Sequence, residues 1–154
     1  MWDGTLLSIH IAERASADMV ELAEAALVAG VGIEGDRYAT GRGFYSHNPH
    51  ENRQVTLIEV ETLEAVARDA GIVMHAHESR RNLTTRGVPL NHLVGQEFRV
   101  GETVLFGGRL NVPCKYLDEL LGRPLFNPLR NRSGLNCRIV RGGVIRPGDP
   151  IRPL

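Results

Sequence analysis

Lysine is almost absent from this sequence. Lys115 is the only one, and the other seventeen basic residues are arginines. Genomic base composition produces such a bias, and planar guanidinium forks also suit carboxylate and phosphate recognition; the two readings coexist. An excess of either sign is lacking too. Eighteen basic residues face 18 acidic ones, so no broad footprint for nucleic acid or a membrane surface is expected. No apolar run approaches the roughly 20 residues of a membrane span. Met1-Trp2-Asp3-Gly4 has no basic region ahead of an apolar stretch, so the expectation is a cytoplasmic protein without a secretory signal. Cysteine is scarce as well. Cys114 and Cys137 form no Cys-x-x-Cys pair, which argues against a disulfide scaffold and against structural zinc. No glycine-rich dinucleotide motif, Walker loop or Ser/His/Asp pattern is present.

The chain does have frequent glycine and proline, with short apolar runs between them. Its 154 residues suit a single domain, 1–154. Thr5–Ala12 alternates Leu7, Ile9 and Ile11 with Ser8 and His10, which predicts a strand. Ser16–Ala29 has helix-forming composition with Val20, Ala23 and Leu27 on one face, although an alanine-rich strand is the alternative. Gly30–Gly43 reads as a functional loop. Gln54–Ile58 reads as a buried strand feeding a helix over Glu59–Ala70, with Val60, Leu63, Val66, Ala67 and Ala70 as its apolar stripe and Gly71 as its stop.

Further on, Asn82–Thr85 is a short strand. Glu97–Val100 and Thr103–Phe106 pair across Gly101-Glu102. A short helix runs from Cys114 to Leu121, and Leu135–Arg141 with Val144–Arg146 reads as a closing hairpin. The fold class is mainly β, a β-barrel with a few short helices.

Three constellations carry chemistry. Cys114 follows Pro113 and opens the short helix, where free N–H groups and the helix dipole favour a thiolate, and Lys115 stands beside it. A thiolate there suits a soft metal or a persulfide; a small buried hydrophobe is the alternative. Cys137 reads as a packed strand residue. Gly32-Ile33-Glu34-Gly35-Asp36-Arg37-Tyr38 permits close backbone approach to a ligand, or is a tight turn with an ion pair. Glu78 to Gly87 gathers Arg80, Arg81, Asn82, Thr84, Thr85 and Arg86, an oxyanion grip or a solvated basic edge. His75-x-His77 with His47 and His50 reads as solvated loop rather than a metal site.

These stretches, in this order, resemble the MOSC family, the domain at the C-terminus of molybdenum-cofactor sulfurases. The resemblance spans about Gly30 to Pro150. It rests on Gly-Ile-Glu-Gly-Asp-Arg-Tyr (32–38), Gln-Val-Thr-Leu-Ile-Glu (54–59), Arg-Arg-Asn-Leu-Thr-Thr-Arg-Gly (80–87), Leu-Val-Gly-Gln-Glu-Phe-Arg-Val-Gly (93–101), Pro-Cys (113–114) and Val-Ile-Arg-Pro-Gly-Asp (144–149).

The resemblance implies a barrel-like β fold and the molybdenum cofactor, molybdopterin, as ligand. It implies Cys114 as the catalytic cysteine and metal ligand. Arg81 and Asn82 become candidates to hold the pterin phosphate or to orient the metal's oxo ligands, and Asp36, Arg37, Gly35 and Lys115 candidate cofactor-binding or supporting residues. The pyridoxal-phosphate domain of the sulfurases does not fit within these residues, so that cofactor is not expected on this chain. Three functions remain open: a molybdenum-dependent reductase of N-hydroxylated or N-oxide substrates served by a separate electron donor, a sulfur carrier charged as a Cys114 persulfide by a separate cysteine desulfurase, and a non-catalytic cofactor-binding protein.

Overall fold

The structure is a computed structural model and describes residues 1–48 and 50–154. Strand β1 (Gly4–Ile11) forms, but its alternation starts in the opposite phase to the expected one, with Leu6 inward and Leu7 outward. A register shift between Leu6 and Ser8 then interrupts its pairing. A bulge of this kind changes which side chains face inward. Leu6 and Ile9 therefore enter the core, while Leu7 stays in solvent.

Residues 16–29 are not a helix. They form β2 (Val20–Leu22) and β3 (Ala25–Val28). Of the face anticipated for a helix, Val20 and Ala23 are exposed and only Leu27 is buried. Helix propensity amounts to a few tenths of a kcal/mol per residue. Here it is outweighed by ladders that β1 offers to β2 and that β4 (Gly32–Ile33) offers to β3.

Strand β5 (Val55–Glu59) leads into α1 (Val60–Ala70), which buries Thr62, Leu63 and Val66. Gly71 ends the helix at φ 68°, its N–H returning to the Ala67 carbonyl. The chain then comes back as β6 (Leu83–Arg86), parallel to β5. Strands β7 (Glu97–Val100) and β8 (Thr103–Leu110) form the expected hairpin. Helix α2 (Lys115–Leu121) takes Cys114 as its N-cap residue.

Strands β9 (Leu135–Arg141), β10 (Gly143–Ile145) and β11 (Pro150–Pro153) complete the chain. The anticipated closing hairpin between β9 and β10 does not form. β9 pairs with β5 and β8, and β10 pairs with β3. The glycines explain the departure: a Cβ at 142 would collide with the Leu27 carbonyl, so only glycine lets the chain cross there to the other sheet.

The main sheet runs β11-β7-β8-β9-β5-β6-β1 and closes through the pairing of β1 with β11, giving a seven-stranded barrel. β2 extends it on the outer edge of β1, and β10-β3-β4 form a small second sheet. Leu6, Ile9, Leu57, Leu83, Phe98, Leu105 and Leu135 fill the barrel. A second cluster, built on Leu63, Val66, Leu117, Leu125 and Leu129, packs the two helices against its wall. No helix among the described residues is long and apolar enough to cross a membrane.

Candidate functional site

A polar row crosses the barrel wall. Arg109 on β8 lies opposite Asn136 on β9, and Asn136 lies opposite Thr56 on β5. Thr56 is tied in turn to Asn82, just ahead of β6. Over this row opens a cleft of about 300 Å³. The loop carrying Arg37, Tyr38, Phe44 and Tyr45 forms one side, and the turn from Asn111 to Leu117 forms another.

Five arginines line the cleft: Arg37, Arg53, Arg80, Arg81 and Arg109. Among the described residues no carboxylate lines it with them. Nine of the twelve arginines elsewhere pair with a carboxylate. In the cleft only Arg37 does so among the described residues, with Asp36 at 3.0 Å. Positive charge is thus concentrated where the rest of the surface neutralises it.

Arg37, Arg80 and Arg81 form one group. Asp36 is fully buried. Its carboxylate accepts from the Ala12 N–H, the Tyr38 N–H and Arg37 Nη1, which fixes the Arg37 fork. Arg37 Nη2 donates to the Arg80 carbonyl at 3.1 Å. Arg80 has φ 60°, unusual outside glycine. It ends a 3-10 turn over Ala76–Ser79. That turn brings Arg80 and Arg81 to the same cleft, although consecutive strand residues point apart.

Arg80 Nη1 donates to the Ala17 carbonyl, whereas its Nη2 is buried without a partner among the described residues. Burial, and then the Arg37 charge, lower the Arg80 pKa. Arg81 is braced by neutral acceptors only: the Ser79 and Ser133 carbonyls, the Ser133 hydroxyl and Asn111 Oδ1 at 2.5 Å. Burial and the Arg37 charge pull its guanidinium down to about 10, with the Cys114 sulfur acting in the opposite direction.

Cys114 lies partly exposed in the cleft. Its proximity, followed by burial, pushes the Tyr45 hydroxyl up to about 12, so Tyr45 stays protonated at neutral pH. Phe44 stacks on Tyr116 at 4.1 Å and meets Tyr45 edge-on. Cys137 is fully buried in the barrel core, and burial raises its pKa.

The residues singled out from sequence divide three ways. Cys114, Arg81 and Arg37 come together in the cleft. Asp36 and Asn82 stand behind its wall, and the Asn82 amide is committed to Thr56 and to the His10 carbonyl. Gly35 and Lys115 are exposed and do not line the cleft. Gly35, at φ 86°, makes the turn in which the Asp36 N–H returns to the Ile33 carbonyl. His47, His50, His75 and His77 are exposed. Among the described residues no three His, Cys, Asp or Glu side chains are grouped to hold a metal ion.

Sequence reasoning missed Arg53, Arg109, Asn111, Asn136, Phe44, Tyr45 and Tyr116. One signal was available, since all three tyrosines of the chain, Tyr38, Tyr45 and Tyr116, line this one cleft.

Comparison with known proteins places these features in a wider set. The family model for the MOSC domain matches residues 44–152. The YuaD protein of Bacillus subtilis has a similar solved structure, with TM-score 0.81 and 19% identity, covering 98% of this chain and 97% of that one. YiiM from Geobacillus stearothermophilus follows with TM-score 0.76 and 17% identity, covering 98% and 75%. YiiM from Escherichia coli gives TM-score 0.70 and 17% identity, covering 97% and 69%. At these identities the likeness is one of fold. A comparison with curated protein sequences gave no match.

Proposed function

The chain belongs to the MOSC domain family, and we propose that its cleft binds the molybdenum cofactor, with the Cys114 sulfur as protein ligand to the metal and arginines as the grip on the pterin phosphate. The observation that carries this reading is the excess positive charge of the cleft, above all the buried Arg80 Nη2, which has no partner among the described residues. A buried guanidinium donor left unmatched is costly, and a phosphate oxygen supplies the missing acceptor together with the counter-charge. The cysteine supplies the soft donor that molybdenum chemistry uses. The donor set therefore fits the group.

In this reading Arg37, Arg80 and Arg81 hold the phosphate. Asp36 keeps the Arg37 fork in place, Asn82 ties the wall beneath Arg81, and Gly35 makes the turn that drives Asp36 inward. Lys115 is exposed next to Cys114 in the chain, outside the lining of the cleft, and has no direct part in the grip. Tyr45 and the Phe44–Tyr116 stack line the cleft together with the sulfur and form its apolar side. The cofactor, when bound, supplies two-electron redox chemistry at the metal. The activity we favour is reduction of an N-hydroxylated or N-oxide substrate, with electrons from a separate donor protein.

The test is metal and pterin analysis of the chain isolated from a host that makes the cofactor. Near-stoichiometric molybdenum and pterin are expected. Protein that carries neither overturns the reading; if Cys114 then bears persulfide sulfur, the chain is a sulfur carrier supplied by a desulfurase.

A further inference from the structure

The cofactor reading uses Arg37, Arg80 and Arg81 and leaves Arg53 and Arg109 without a task. These two start from the other flank. Arg109 sits on β8, and two strands, β9 and β5, separate it from β6. Three strand spacings put it roughly 14 Å along the wall from the entry to β6. Arg53 ends the 3-10 turn Glu51–Arg53 just before β5.

A close approach brings the two to the same rim. The Asn52 side-chain amide packs directly against Gly108, which sets the Asn52 turn against β8. Arg53 and Arg109 are the chain neighbours of these two residues, and both line the cleft. Arg53 Nη1 donates to the Tyr45 and Asn48 carbonyls, and its guanidinium lies 5.2 Å from the centre of the Tyr45 ring. That contact orients the fork without neutralising it. Arg109 is exposed and makes no ion pair or side-chain hydrogen bond among the described residues. Next to them the rim is apolar: Val112 is 77% exposed, and Phe44 is stacked on Tyr116.

Building on the cofactor reading, we propose that Arg53 and Arg109 form a second anion subsite, and that the reactant entering this cleft carries a carboxylate or phosphate on a flat apolar body. Two guanidinia fix the anionic end by charge-assisted hydrogen bonds. The aromatic pair and Val112 take the body. The two arginine groups thus divide the work, one holding the cofactor and the other selecting the reactant.

Titration of the isotope-labelled chain, followed by amide NMR, tests the subsite without requiring turnover. Benzoate and phenyl phosphate are the probes, and benzamide is the uncharged control. Both anions should shift the amides of Arg109 and Val112, and the tighter of the two identifies the preferred group. Benzamide should leave them in place. In Arg109→Gln, which breaks no internal bond, the affinity for the anions should fall about tenfold, the loss expected for one charge-assisted contact. Equal binding of benzamide and benzoate, unchanged affinity in Arg109→Gln, or shifts confined to Arg80 and Arg81 would overturn the proposal.

A second arm separates it from the cofactor reading. Molybdenum and pterin contents of Arg109→Gln and Arg53→Gln should match the parent, and a loss would assign these arginines to the cofactor instead. A parent chain that carries no cofactor refutes the cofactor reading, and the titration still decides the subsite.

Discussion

Arg81 donates to Asn111 Oδ1 at 2.5 Å, and Asn111 stands three residues before Cys114. The same oxygen accepts from the Ser133 hydroxyl, and Asn111 Nδ2 donates to Asn136. One amide thus couples the arginine grip to the segment that carries the cysteine. Asn111→Leu should lower stability by about 1–3 kcal/mol, because it leaves an Arg81 donor unmatched. Asn111→Asp keeps the acceptor and neutralises Arg81 but gives up the donor to Asn136 Oδ1, so it should fold with some loss of stability and bind inorganic phosphate several-fold more weakly. Denaturant unfolding together with a phosphate titration checks both; unweakened phosphate binding in Asn111→Asp counts against an electrostatic role for Arg81.

The two thiols should differ sharply in reactivity. Cys114 lines the cleft, while Cys137 has no exposed surface and its pKa is raised by burial. Near neutral pH, iodoacetamide should label Cys114 many times faster, as peptide mass spectrometry would show. Labelling of Cys137 should proceed no faster than the barrel opens.

Asn82 should prove to be a brace. Its side chain satisfies the Thr56 N–H and the His10 carbonyl, both inside the barrel wall. Asn82→Ala should cost about 2–4 kcal/mol in urea unfolding, since it strands buried backbone groups. The protein that remains folded should bind phosphate as the parent does. A variant of parental stability that has lost phosphate binding would instead put Asn82 in direct contact with ligand.

Acidification should weaken the fold through His10. Burial lowers its pKa below the ordinary 6.5; Glu21, opposite it on β2, opposes the shift, and His77 adds to it. The unfolded chain therefore takes up the proton first. The His10 contribution is intact above about pH 6.5 and is lost as pH falls from there through the depressed folded value. Urea midpoints measured from pH 8 to pH 5 should fall more steeply for the parent than for His10→Gln. Parallel profiles would remove His10 from the account.

Much of the barrel was legible because local pattern and tertiary demand agree. Leu63 and Val66 of the anticipated α1 stripe, the Gly101 turn between β7 and β8 and the glycine after α1 all act over a few residues, whereas Ala70, at the end of that stripe, is exposed. Where the outcome depends on a distant partner, local pattern misleads. Helix-favouring residues 16–29 become strands because β1 and β4 offer them ladders. β10 leaves β9 because Gly142 lets it cross to β3. The site divides the same way. Cys114 and Arg81 stand in recognisable motifs. Arg53 and Arg109 reach the cleft from distant segments that meet where Asn52 packs on Gly108, a pairing that no local spacing encodes. The inward turn of Asn82 follows from its bonds to Thr56 and His10, each far away in sequence.

The central claim is that Cys114 gives its sulfur to molybdenum. X-ray absorption at the molybdenum edge, on cofactor-loaded parent and Cys114→Ser, tests it most directly. The account predicts one sulfur neighbour fewer at the metal in Cys114→Ser, with pterin still present because the arginine grip is intact. An identical sulfur shell in the two proteins would contradict it.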